Sequence, residues 1–176
     1  MILSHDLLTN RKTRRTFENL PRTTHIIDVG CGIRPCPAFS AKDHICIEPH
    51  DEYVEVLKQW KPDHARPVVI QAEAQELATF PREDVTVFML DVIEHMPRED
   101  GEAMIRLLEE FEHAVIFTPL GWYEQDGQNP DAWGYNGGHW QKHRSAWQPE
   151  DFSGWDVKVW PKWHPKNSVG AILAVR

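Results

Sequence analysis

A glycine turn and three acids stand at matching places in this chain, each where a short apolar run ends. Gly30-Cys31-Gly32 follows "IIDV", Glu48 closes "ICIE", Glu73 follows "VVIQA", and Asp91 follows "VFML". Glycines at a strand end let the backbone turn tightly and approach a ligand closely. Glu48 lies 20 positions after Asp28, at the end of the next strand. There it can accept hydrogen bonds from both hydroxyls of a ribose and would repel a 2′-phosphate. A second chemistry comes from His95, His139 and His143, because imidazole exchanges protons near neutral pH. His95, just after the fourth run, either faces the ligand or caps the next helix. His143 either serves as a base or acceptor-binding group, or steadies its loop.

These groups need a scaffold that brings strand ends together. Apolar runs at Ile26–Val29, Ile45–Ile47, Val68–Ile70, Val85–Leu90 and Ala114–Phe117 alternate with polar or amphipathic segments. Asp51–Trp60 and Glu99–Phe111 carry apolar residues at helical spacing. This alternation predicts βαβ units and a mostly parallel sheet covered by helices on both faces. Two closing runs, Val157–Trp160 and Val169–Val175, lie close in sequence and predict an antiparallel hairpin at the sheet edge. The expected fold is thus a single Rossmann-like α/β domain over 1–176 with about seven strands. A short N-terminal helical segment over 1–23 begins near Ser4, and an aromatic-rich loop over 121–147 covers the site. In such sheets ligands lie beyond the carboxyl ends of the strands, where strand order reverses. The turn and the three acids would therefore ring one crevice.

The order of these motifs resembles the class I S-adenosylmethionine-dependent methyltransferases. "IIDVGCGIRP" is similar to their first motif, "CIEPH" to the second, "QAEAQEL" to the third and "DVIEHMP" to the segment after the fourth strand. "IFTPLG" and "HRSAWQPEDF" are similar to small bacterial and phage members acting on sugars, lipids or small molecules. The likeness covers residues 24–176. It implies that Asp28, Gly30 and Gly32 line the methionine part of the cofactor, with Cys31, Arg34 and Pro49 in the same binding turns. Glu48 would hold the ribose hydroxyls. Glu73 would reach the adenine amino group, with the Ala74 amide facing the ring. Asp91 and Val92 would sit beside the methionine and the sulfonium. The chain departs from the pattern at Glu73, where Asp is frequent, and in lacking a third glycine after Gly32.

That missing glycine discriminates between cofactors. A pyrophosphate asks for a glycine-opened helix N-terminus with several free amides, whereas Pro35 removes a donor and stiffens the turn. S-adenosylmethionine has no phosphate to cradle. A nicotinamide-dependent oxidoreductase on the same sheet is thereby disfavoured, and no Gly-Lys-Ser/Thr follows that would make a P-loop. A non-catalytic S-adenosylmethionine-binding or regulatory module remains the other alternative. Arg34 either pairs with an acid of the crevice or touches the acceptor.

Direct displacement from a sulfonium depends chiefly on alignment, and a hydroxyl acceptor also needs a base. The expected acceptor is an oxygen, less readily a nitrogen, of a small molecule or glycan. Nucleic acid is disfavoured by the net charge of −8 and by Asp-Val-Ile-Glu where an Asn/Asp-Pro-Pro-aromatic motif would stand. The basic run Arg11, Lys12, Arg14 and Arg15 reads as a solvated face. Seven of eight tryptophans follow Leu120. Trp147, Trp155 and Trp160 are expected to anchor the loop, whereas Trp122, Trp133 and Trp140 are expected to cover the acceptor. His139 and His143, four apart, could share a metal on a helix, but Gly137, Gly138 and the lack of a third nearby ligand argue against it. Cys31, Cys36 and Cys46 form neither a disulfide framework nor a zinc motif. Reduced thiols and the absence of an apolar run of membrane-spanning length lead to an expectation of a cytoplasmic protein.

Overall fold

The computed structural model describes residues 7, 10–36, 43–59, 67–125, 133–163 and 169–176. The start of the expected N-terminal helix, Trp60, part of the aromatic loop and the turn before Val169 lie outside them.

Seven strands form one sheet: β1 (His25–Val29), β2 (Asp43–Ile47), β3 (Val68–Ile70), β4 (Val85–Leu90), β5 (His113–Leu120), β6 (Asp156–Trp160) and β7 (Gly170–Val175). Their order is β3-β2-β1-β4-β5-β7-β6. The first five are mutually parallel, while β7 runs antiparallel to both β5 and β6. The hairpin expected at the edge is there, and its second strand, β7, is inserted next to β5. From β1 the chain moves outward through β2 and β3, then returns to β4 on the other side. The C-terminal ends of β1 and β4 therefore flank the reversal where this fold class binds ligands.

Side chains alternate between two buried layers. Ile27, Val29, Val87, Met89, Ile116 and Ile172 enter one core, together with Met104, Ile105 and Leu108 of α3 (Arg98–Leu108). Ile26, Phe88, Val115, Phe117 and Leu173 enter the other. That second face is covered by the short α1 (Arg14–Glu18) through Phe17, and by Leu7, Leu20 and Trp163. Lys12 of the basic run is tied down here. Its ammonium donates to the Trp163 carbonyl at 2.9 Å and lies 5.1 Å from the Trp163 ring centre. Helix α2 (Asp51–Gln59) starts with Asp51 and Glu52 and carries Lys58 in its last turn, which suits the helix dipole. Its Tyr53, Val54 and Leu57 are buried. Among the described residues no helix is long and apolar enough to cross a membrane.

Candidate active site

A cavity of about 730 Å³ opens at the C-terminal ends of β1, β2, β3 and β4. Asp28, Gly30, Cys31, Gly32, Arg34, Glu48, Pro49, Glu73, Ala74, Asp91 and Val92 all line it. Every residue assigned to the cofactor from the sequence is therefore brought to one wall system.

The first turn is built for close approach. Gly30 and Gly32 have φ of +64° and +59°, the left-handed region. A Cβ at Gly30 would stand 2.9 Å from Val92 Cγ2, so the ends of β1 and β4 can touch only through a glycine. Asp91 also takes a positive φ, +56°, a conformation that is sparsely populated outside glycine and concentrates at functional sites. Its amide still donates to the Phe117 carbonyl at 2.8 Å, which locks the turn to β5.

Glu48 is only 3% exposed. One of its oxygens accepts the Gly32 amide at 2.9 Å and the other the His50 amide at 3.0 Å. Burial pushes its carboxyl above the ordinary carboxylate value, and those two amides pull the other way. Each oxygen retains a further lone pair for a ligand hydroxyl. Asp28 is used differently. Its carboxylate accepts the Cys36 amide and lies 3.8 Å from His44 Nε2, which braces the Arg34-Pro35-Cys36 turn. His44 is raised to about 9 because the Asp28 and Cys46 contacts outweigh its desolvation. Glu73 sits exposed on the rim, at the start of a 3₁₀ turn over Ala74–Thr79. The three cysteines are free thiols.

The loop supplies the other wall. Trp133 lies over Gly32, where a Cβ would stand 3.3 Å from its indole nitrogen. The Arg34 guanidinium stacks 4.9 Å from the Trp133 ring centre, a contact with the loop that the sequence did not announce. Trp140 also lines the cavity. Trp122, expected as a third covering aromatic, is instead 60% exposed and does not line the cavity. Trp147 and Trp155 are buried anchors.

The three histidines part company. His95 and His139 line the cavity, but His143 does not. His143 packs behind His95, with ring centres 4.9 Å apart. Helix α4 (Gly138–Gln141) ends before His143, and Lys142 is extended, so His139 and His143 do not share a helical face. Burial lowers His95 to about 3 and His143 to about 4, so both rings are neutral at physiological pH. Burial also pushes the Glu94 carboxyl well above its usual range, and nearby Asp91 adds to that.

These shifts set a pH dependence. The native pKa values of His95 and His143 lie below the unfolded value of about 6.5, so the unfolded chain takes up their protons first. The stability they contribute is complete above about pH 6.5 and is lost as pH falls toward 4 and then 3. In a melting series from pH 7.5 to 4.5, the midpoint of His143→Gln is expected to lose less than the parent's. Comparing variant with parent cancels the titrations of other groups.

Several site residues carried no sequence signal of their own. Tyr53 of α2 lines the cavity, and its hydroxyl accepts from the Gln141 amide. Gly137 must be glycine because a Cβ would strike that hydroxyl. His50 stacks edge-on against Tyr53 with ring centres at 4.5 Å and contacts the Tyr135 carbonyl at 2.6 Å. Only adjacency to Glu48-Pro49 hinted at either residue. Arg144 also lines the cavity and donates to the His95 carbonyl at 2.6 Å and the His139 carbonyl at 2.8 Å.

No protein-family model matches the chain, and no curated protein matches it. Solved structures do resemble it. The N-terminal domain of EvdMO1 with SAH bound aligns at a TM-score of 0.63 and 14% identity, covering 92% of this chain and 77% of that one. A SAM-dependent methyltransferase from Archaeoglobus fulgidus aligns at 0.58 and 14%, covering 98% and 97%. Magnesium protoporphyrin IX methyltransferase from Synechocystis PCC 6803 with bound SAH aligns at 0.55 and 17%, covering 99% and 91%. The same fold is found in the plantazolicin methyltransferase BamL, the CurJ carbon methyltransferase and the Pnkp1/Rnl/Hen1 RNA repair complex. The chain thus has the class I S-adenosylmethionine-dependent methyltransferase fold.

Proposed function

We infer that this crevice binds S-adenosylmethionine and that the chain transfers its methyl group to an oxygen, or less readily a nitrogen, of a small molecule or glycan. The observation that carries this reading is the convergence of Gly30, Gly32, Glu48, Glu73 and Asp91 on one cavity at the strand reversal. A wall of carboxylates suits a cationic sulfonium and ammonium and repels pyrophosphate. The bound cofactor would supply an electrophilic methyl group.

The protein's own groups do the rest. Glu48 takes the ribose hydroxyls, Gly30 and Gly32 admit the methionine chain past Val92, and Glu73 and Ala74 face the adenine. Trp133, held by Arg34, closes over the first turn and sheds water. Trp140, His139 and Arg144 face the acceptor space, and flat indole faces suit a sugar or ring. His95 acts on the acceptor's proton: its neutral ring is the one of the buried pair that reaches the cavity.

Calorimetric titration is expected to show S-adenosylmethionine and its demethylated product binding at micromolar concentrations, with no heat from NAD. Absence of binding by either at high micromolar concentration would overturn the cofactor assignment. With an acceptor in hand, His95→Gln is expected to lower turnover about 100-fold while leaving the cofactor affinity alone.

A further inference from the structure

Glu94, His95 and His143 come together from two chain segments beside the cavity. Each offers one ligand atom, and these atoms all lie within 4.8 Å of one another. Nothing in their spacing along the chain announces this, since 48 positions separate His143 from His95.

The surroundings fix each of the three side chains. A carbonyl oxygen only accepts, so His95 Nδ1 carries a proton and donates it to the Lys142 carbonyl at 3.3 Å. His143 Nδ1 likewise donates to the Tyr123 carbonyl at 2.7 Å. The lone pair left on each ring is on Nε2, and among the described residues neither Nε2 has a hydrogen-bond partner. One ring nitrogen donating to a carbonyl while the other stays open is the support that metal-bound imidazoles require. Thr118 Oγ1 donates to one Glu94 oxygen at 3.0 Å and fixes the carboxylate in the same way. The two segments are clamped as well. The Arg144 and Ser145 amides donate to the Glu94 carbonyl at 2.7 and 3.2 Å, and Ser145 Oγ donates to the Ile93 carbonyl at 3.0 Å.

No hydrogen bond joins the three side chains to one another, so a carboxyl oxygen and two imidazole nitrogens stand close without pairing among themselves. Such a group is reconciled by a cation. Ligands about 2.1 Å from a tetrahedral ion stand about 3.4 Å apart, which side-chain rotation of about an ångström would reach. Two imidazoles and one carboxylate suit zinc, iron, cobalt or manganese.

We propose that Glu94, His95 and His143 bind one divalent first-row transition cation, whose remaining coordination positions face the acceptor space past His95. On this reading His95 serves the methyl transfer as a ligand of the ion and not as the proton acceptor. A hydroxyl bound to the ion gives up its proton to water, and its oxygen forms the new bond to the methyl carbon. The carbon–sulfur bond breaks with its electron pair going to sulfur. That role rests on the methyl-transfer reading, while the site itself does not.

Co²⁺ titration of the chelator-treated chain tests the site. One equivalent is expected to bind with visible absorption bands, and His95→Gln and His143→Gln are each expected to weaken it more than about 100-fold. His113→Gln, at the opposite end of β5, is expected to leave it unchanged. Should His143→Gln fail to fold, His95→Gln decides, because its ring is only partly buried. No Co²⁺ or Zn²⁺ binding at millimolar concentration, or equal binding by parent and His95→Gln, overturns the site. S-adenosylmethionine titrated into the same samples separates the two readings: cofactor binding without the ion sinks only the ion, and the ion without cofactor sinks only the methyl-transfer reading. Methyl transfer that survives complete chelation overturns the ion's catalytic role.

Discussion

Replacing Glu48 with alanine is expected to weaken S-adenosylmethionine binding by about 100-fold or more. Charge-assisted hydrogen bonds are worth about 1.5–3 kcal/mol each, and tenfold in affinity corresponds to about 1.4 kcal/mol. Two such bonds to ribose hydroxyls therefore account for the loss. The same substitution removes the acceptor of the Gly32 and His50 amides, at 2.9 and 3.0 Å. Two backbone donors would then be left in a site where the side chain they served is 3% exposed. Leaving a buried donor unsatisfied costs about 1–3 kcal/mol, so the melting point without ligand should also fall. Glu48→Gln separates the effects, because its amide oxygen can still accept one of the two bonds. It is expected to recover part of the stability and little of the affinity. Calorimetry on both variants reads binding and thermal melts read folding. A Kd for Glu48→Ala within about threefold of the parent's would remove Glu48 from the ribose site.

The largest stability effect is expected at Trp147. Its side chain is fully buried and sits between α3 and the end of β5. A Cβ at Gly101 of α3 would stand 2.3 Å from Trp147 Cζ2, so the helix can lie on the indole only because that position is glycine. Arg98 stacks on the indole with its guanidinium 4.1 Å from the ring centre. It donates to the Ala146 carbonyl at 2.7 Å and to Asp151 at 3.0 Å. Arg98 holds the Asp151 carboxyl below its ordinary value, and Asp151 in turn raises the guanidinium. Trp147→Ala is expected to cost about 3–5 kcal/mol, or roughly 10 °C or more in melting temperature for a chain of this size. Trp147→Phe should cost much less, since it keeps most of the volume and removes an indole N–H that has no partner among the described residues. Gly101→Ala should be severe alone and milder with Trp147→Phe, because phenylalanine lacks the atoms that clash. A double-mutant cycle measures that coupling; strict additivity would sink the account. The loss also reaches the site, because the Gly121 amide bonds the Trp147 carbonyl at 2.8 Å and the same segment carries His143 and Arg144.

The sheet and the cofactor wall were legible because both are written locally. Apolar runs of strand length alternating with helical periodicity select a parallel α/β sheet, and a topological rule then places strand-end residues such as Gly30, Glu48, Glu73 and Asp91 around one crevice. No long-range contact has to be guessed for that inference. The acceptor side has no such rule. Whether an aromatic in a loop becomes a lid, an anchor or surface is decided by what lies beneath it. Gly32 beneath Trp133, Gly101 beneath Trp147 and solvent around Trp122 gave three outcomes to one residue type. Histidine followed the same pattern. His139 and His143 look paired by spacing, yet α4 ends between them, and the extended backbone at Lys142 turns His143 toward His95 and Glu94. By itself, then, the sequence determined the sheet, the crevice and the strand-end residues that line it, because strand period and chain order act over a few residues at a time. The tertiary structure alone decided which imidazoles line the cavity and that two imidazoles and a carboxylate converge, because that depends on side-chain packing between segments far apart in the chain.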